Sequence, residues 1–289
     1  GWGSPGLSTM FSDGVGAAMQ PLLIYILCVG AGIAFALSRP NAGLRADAAK
    51  IHGFNLYIVR ALFWIVFLTG IVDATLAVMR VEGLLGFFFE QATVREFTRS
   101  AFVAPIFHFP LIVSGFVIAA FTRTLGFTWL ALLIVASELL IVFTRFIFSY
   151  EQALMGDLVR YWYAALFLFA SAYTLYDDGH VRVDIIYAGR SSRTKGKLNA
   201  IGSIMLGLVT VWTILIIGMS GKTSIINAPI VNLEITQTGA NGMFIKYQMA
   251  AFLAIFAATM IIQFVSSLFE AVADSRDEPG KRDNVAAAH

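Results

Sequence analysis

Long apolar runs separated by short polar breaks dominate this chain. An α-helix of about 20 apolar residues crosses the hydrocarbon core of a bilayer. Seven runs reach or approach that length: Pro21–Leu37, Leu56–Met79, Phe102–Phe121, Phe127–Phe148, Val159–Tyr176, Leu198–Met219 and Phe244–Phe269. Pro105 and Pro110 interrupt the first half of the third. Two readings stay open there: a full span, or an interfacial segment over Ala101–Pro110 with a shorter span after it. Proline is tolerated in membrane helices where neighbours re-satisfy the freed backbone groups. Thr122–Gly126 leaves room only for a tight helical hairpin between the third and fourth runs. No internal sequence repeat is visible, so the inverted-repeat architecture of many carriers is not signalled.

One segment departs from this pattern. Between Ser149 and Tyr163, the apolar residues Leu154, Leu158 and Tyr161 recur at helical spacing, and Glu151, Asp157 and Arg160 interleave with them. This predicts a short amphipathic helix lying in the interface ahead of the next span. Tyr161, Trp162 and Tyr163 suit an aromatic belt at headgroup depth. The expected fold class is all-α: a polytopic helical membrane bundle of about seven transmembrane helices plus this interfacial helix.

Composition strengthens the membrane reading. Of 289 residues, 58% are hydrophobic and 13% charged, with a mean hydropathy of +0.77. Soluble domains carry about 25% charged residues, and a chain so poor in them cannot hide its apolar surface from water. A net charge of +2 argues against a nucleic-acid partner. Cys28 is the single cysteine, so no intramolecular disulfide or cysteine metal cluster forms. Gly1–Gln20 has no Lys or Arg, which removes the basic region of a secretory leader. The small, polar stretch GWGSPGLST makes Met10 a candidate native start.

Lys and Arg in short loops set orientation. With seven spans, one set of loops and ends holds Arg39, Arg45, Lys50, Arg123, Arg182, Arg190, Arg193, Lys195, Lys197, Arg276, Lys281 and Arg282. The other holds Arg80, Arg95, Arg99 and Lys222, with Arg145, Arg160 and Lys246 near span ends. The richer set is expected in the cytoplasm, which puts the N-terminus outside and the C-terminus inside. The polar tail from Asp274 to His289 then reads as a frayed cytoplasmic end.

Candidate chemistry is sparse. Asp73 and Glu138 lie within spans, where ionisable groups are expensive and usually face protein. Glu138 and Arg145 share a helix face but stand about 10.5 Å apart along the axis, too far to pair directly. A polar contact inside the bundle or against a partner subunit is preferred over an ion relay. His108 is the only histidine within a predicted span, which disfavours bis-histidine haem. His180 sits beside Asp177 and Asp178 with no second histidine near in sequence, a poor metal-ligand set. No phosphate loop, HExxH or GxSxG pattern occurs, and no catalytic constellation is visible.

The order of parts from Arg145 to Asp184 is more specific. An apolar span ending at Arg145-Phe146 leads to Glu151 and the segment DLVRYWY, then a second span, then the turn GHVRVD at Gly179–Asp184. Two more spans follow. This resembles the small membrane subunit of TRAP (tripartite ATP-independent periplasmic) transporters, whose members carry four helices, a horizontal arm after the first and a turn of the form G-H-[IV]-R-[VM]-D after the second. The resemblance covers Phe127 to the C-terminus, about half of the chain. It implies a division into an N-terminal segment (1–20), an extra three-helix region (21–126), a four-helix core (127–270) and a tail (271–289). The extra helices resemble those of enlarged small subunits that accompany some organic-acid systems.

The resemblance also implies a mechanism. A periplasmic substrate-binding protein captures an organic acid, and a large membrane subunit carries the sodium and substrate sites and moves as an elevator. The small subunit scaffolds that moving part and helps dock the binding protein. It binds no cofactor and does no catalysis, and Na+ coupling belongs to the partner subunit. Glu138, Arg145, Glu151, Asp157, Arg160, His180, Arg182 and Asp184 are then expected to be structural or interface residues. The alternative from another class is a membrane anchor for a respiratory or redox enzyme. A stand-alone channel would need polar residues aligned along several spans, and this chain has few.

Overall fold

Inside a bilayer the α-helix satisfies its backbone polar groups within one segment, and the apolar runs take that form. The structure is a computed structural model and describes residues 15–38, 42–177, 187, 189–236 and 238–280. The turn bearing His180, Arg182 and Asp184 lies outside the described residues. Among the described residues every regular element is helical. Helix α1 (Val15–Leu37) covers the first predicted run, and its described side chains are all exposed. Among the described residues, six helices are long and apolar enough to cross a membrane: α2 (Leu44–Val81), α3 (Ser100–Phe121), α4 (Phe127–Phe148), α5 (Ala153–Tyr176), α6 (Ser192–Gly218) and α7 (Lys246–Ser275). Short helical turns at Leu84–Phe87, Gln91–Glu96 and Asn227–Val231 lie in the connections.

Helix α2 begins at Leu44 rather than at Leu56, where its apolar run starts. Its 38 residues extend about 57 Å, well beyond a hydrocarbon core of about 30 Å. Asp47 in its first turn and Arg80 in its last both complement the helix dipole. Helix α3 runs through both prolines as one span. The turn Ala104–His108, which contains Pro105, relaxes to π-helical geometry, a common local adjustment where an α-helical hydrogen bond is lost.

Helix α5 runs unbroken from Ala153 to Tyr176, so the amphipathic segment is its first turns and not a separate interfacial helix. Its apolar stripe faces protein: Leu154, Tyr161 and Trp162 are buried, while Tyr163 alone of the aromatic trio is exposed. Tyr161 and Trp162 therefore belong to the core and not to a headgroup belt.

Apolar burial gives little drive between helices that already sit in lipid; close packing and polar contacts hold them. Both are concentrated on α2, which packs along α3, α5 and α7. Leu62, Phe63 and Val66 of α2 form one core with Tyr161, Trp162, Ala165 and Phe169 of α5 and Phe252 of α7. At Gly70 the backbone comes so close to the Trp162 ring that a Cβ would lie 2.4 Å from its Nε1. That indole N–H donates to the Val66 carbonyl at 3.2 Å. The α3–α4 hairpin is also held by α2: Arg60 and Trp64 donate to Thr122 O and Oγ1, each at 2.9 Å. Gly126 closes this turn with a φ of +76°, its Cα against the Phe63 ring. Residues 44–126 and the helices after them thus share one interior. Helix α4 is peripheral, with Leu130 its buried residue.

Candidate functional site

Alternating helices place the start of α2, the α3–α4 turn, the start of α6 and the end of α7 at one end of the bundle. The connections 82–99, 149–152 and 219–245 lie at the other. Charged side chains are organised differently at the two ends.

At the end formed by the connections, three buried or half-buried groups pin the segment 234–245. Asp157, in the second turn of α5, is buried at 2% exposure. Its Oδ2 accepts from Thr236 Oγ1 at 2.9 Å, from the Met243 N–H at 3.1 Å and from Thr238 Oγ1 at 3.3 Å. Gly242 passes so close that a Cβ there would meet this same oxygen at 2.5 Å. Arg80, in the last turn of α2, donates to Gly242 O at 2.8 Å and Ala240 O at 3.2 Å. Its guanidinium lies 4.0 Å from the centre of the Phe244 ring, a cation–π contact. Lys246 and Glu234 close the segment with a 2.6 Å ion pair.

The third pin is Asp73, which is fully buried. Its Oδ2 accepts the Phe244 N–H at 2.6 Å, and its Oδ1 stands 3.3 Å from His108 Nε2. The π-helical turn of α3 carries His108 inward, where its Nδ1 is 2.7 Å from the Tyr247 hydroxyl. Gln248 Nε2 donates to that hydroxyl at 3.2 Å, and Gln248 Oε1 accepts from Tyr161. A chain of polar contacts thus links α2, α3, α7 and α5. The Tyr247 hydroxyl engages His108 Nδ1, whereas His108 Nε2 and Asp73 Oδ1 lie close to each other but are buried without a hydrogen-bond partner among the described residues.

At the opposite end, Arg45 of α2 reaches the end of α7. It meets Glu270 Oε2 at 2.6 Å and Asp274 Oδ1 at 2.8 Å, and donates to the Glu278 and Pro279 carbonyls. Further along, the Ser266 hydroxyl donates to Ala48 O at 2.9 Å, His52 Nδ1 lies 2.9 Å from Gln263 Oε1, and Asn55 donates to Thr259 O at 3.0 Å. Helix α2 is thus fastened to α7 at successive turns.

The other residues singled out from sequence are more exposed. Arg145 and Glu151 meet at 3.5 Å with both side chains more than half exposed. Arg160 lies 3.7 Å from Asp157 Oδ1 but is 75% exposed, so this contact is worth little. Tyr150 donates to Glu82 Oε1 at 2.5 Å. That bond favours the neutral phenol and holds its pKa above the ordinary value of 10.0. Glu138 stands at the middle of α4, exposed, with no hydrogen bond or ion pair among the described residues. On insertion scales a charged residue at a helix centre costs about 2.5–3.5 kcal/mol. The partners Arg80, Thr236, Thr238, Tyr247 and Gln248 were not singled out from sequence, because each gains its role from a residue far away in the chain.

The geometry describes a braced scaffold. Among the described residues, no group of three or more His, Cys, Asp or Glu stands close enough to hold a metal ion. The family match falls in the second half of the chain. Residues 133–274 match the family model described as Tripartite ATP-independent periplasmic transporters, DctQ component. This part of the chain belongs to the DctQ family. No curated protein and no solved structure matches the chain. The match runs from within α4 to the end of α7, so the DctQ region holds Glu138, Arg145, Glu151, Asp157 and Arg160. It leaves α1, α2 and α3 outside. The protein is accordingly a multi-pass membrane component of a bacterial TRAP transport system, with an N-terminal region added to the DctQ part. Asp73, Arg80 and His108 are contributions of that added region, made to the DctQ helices α5 and α7 and to the segment before α7.

Proposed function

We propose that this chain is the non-catalytic scaffold subunit of a sodium-coupled TRAP importer of organic acids. It holds a large elevator-type membrane subunit in place and helps to dock the periplasmic binding protein. The observation that carries this reading is the DctQ match over residues 133–274. The bracing around α2 supports it: a subunit that must stay still beside a moving one gains from polar contacts at both ends of its helices. The distribution of Lys and Arg favours a periplasmic N-terminus and a cytoplasmic C-terminus. The pinned segment 234–245 then faces the periplasm, where a fixed surface suits a docking protein. Substrate and Na+ sites belong to the large subunit, and this chain needs no cofactor. The redox-anchor alternative gains nothing from the family match.

Reconstitution tests the proposal. Proteoliposomes holding the large subunit, this chain and the binding protein should take up an organic acid on a sodium gradient. Omitting this chain should abolish uptake while the binding protein still captures its ligand. Full sodium-driven uptake without the chain would overturn the proposal.

A further inference from the structure

Most exposed side chains on the outer helices are apolar and suit lipid, so exposure alone marks no interface. Glu138 is different. It is the eleventh residue beyond Phe127 and the tenth before Phe148 in α4, which places it about 15 Å from either helix end, near mid-membrane. Its side chain is exposed between Val135 and Val142, which are 55% and 47% exposed and lie on the same helical face. Among the described residues, neighbouring α5 and α2 bring it no donor. A carboxyl group at that depth calls for a protein partner.

We propose that the α4 face formed by Val135, Glu138 and Val142 is the surface that packs against a membrane helix of the large subunit, which presents a basic or hydrogen-bond-donating side chain to Glu138. This rests on the scaffold reading above and specifies the face that performs it. A second copy of this chain fits less well. Two copies in one membrane share the same topology, so a symmetric contact through α4 sets the helices parallel. Glu138 would then meet Glu138 at the same depth, and like charges oppose each other. A different chain carrying a donor meets the need of the Glu138 carboxyl group without that conflict. The DctQ family is by description one component of a multi-part transporter, which supplies such a chain.

The test uses the full-length chain co-expressed with its large subunit. A photo-crosslinking residue is placed at Val135 or Val142 of α4, and for comparison at Val117 of α3 or Ile217 of α6, which are equally open. In parallel, Glu138→Leu and Glu138→Gln are compared by recovery of the complex and by melting of the isolated chain. The expected result is crosslinking to the large subunit from the α4 positions alone. Glu138→Leu should weaken the complex about three- to twenty-fold, the range of single polar contacts between membrane helices. Glu138→Gln should retain much of it. Neither variant should lower the melting temperature of the isolated chain, because Glu138 supports nothing within it. Crosslinks from α3 or α6 alone, with the complex intact, would overturn this face while sparing the scaffold reading. Crosslinks from α4 to a second copy would overturn the choice of partner. A wild-type chain that recovers no large subunit would overturn both.

Discussion

Replacing Asp157 with alanine withdraws one oxygen from three donors at once. Met243 is fully buried, so its N–H, 3.1 Å from that oxygen, would face no water. An orphaned buried donor costs about 1–3 kcal/mol. Thr238 is exposed and Thr236 half-buried, so both hydroxyls can rehydrate, and each loses about 1 kcal/mol or less. The exposed contact with Arg160 adds nothing measurable. The sum is about 1–5 kcal/mol, concentrated in the segment 234–245. In mild detergent the melting temperature should fall by about 2–10 °C, and a protease should cut within 234–245 well below the melting point. Asp157→Asn keeps an acceptor oxygen and should lose less than half as much. Asp157→Ala with the melting curve and cleavage pattern of the wild-type chain would refute the pinning argument.

The remaining predictions concern the bracing and the assembly. Gly70→Val puts carbon into the space held by the Trp162 ring and should destabilise the chain by about 1–3 kcal/mol in thermal melts. Arg45→Ala leaves Glu270 and Asp274 facing each other at the end of α7; a loss of about 1–3 kcal/mol and faster cleavage after Ser275 should follow. The Tyr150–Glu82 contact requires the protonated phenol, whose pKa is raised in the folded chain. Its contribution is present below the ordinary value of 10.0 and is lost as pH rises through the raised one. A difference absorbance titration against Tyr150→Phe should therefore show one phenol ionising late. Replacing Arg182 or Asp184 should lower assembly with the large subunit more than it lowers substrate affinity, read by co-purification beside a transport assay.

The helices were legible in the sequence because lipid leaves few alternatives: a long apolar run must bond its own backbone. Helix ends were less so. The start of α2 is rich in Arg45, Asp47, Lys50 and His52, which lowers local hydropathy, yet the helix continues because Arg45 and His52 find partners on α7. The periodicity of Leu154, Leu158 and Tyr161 was correctly helical, but a hydrophobic stripe does not say whether it faces lipid or protein. Here it faces protein, and Trp162 and Tyr161 went to the core. Asp73 and Glu138 stood out equally as intramembrane carboxyl groups. Only the structure separates them, one buried among His108 and a backbone N–H, the other exposed. The three donors on Asp157 come from positions 236 to 243, and sequence spacing carries no sign of contacts over such a separation. The family resemblance was legible from the order of parts around Glu151 and GHVRVD, a pattern no single residue conveys.

The most direct test of the scaffold role is purification of the chain from its native membrane in mild detergent, with identification and quantification of what accompanies it. A large polytopic sodium-coupled subunit in equal amount is the predicted result. A haem-bearing or soluble catalytic partner in its place would contradict the account.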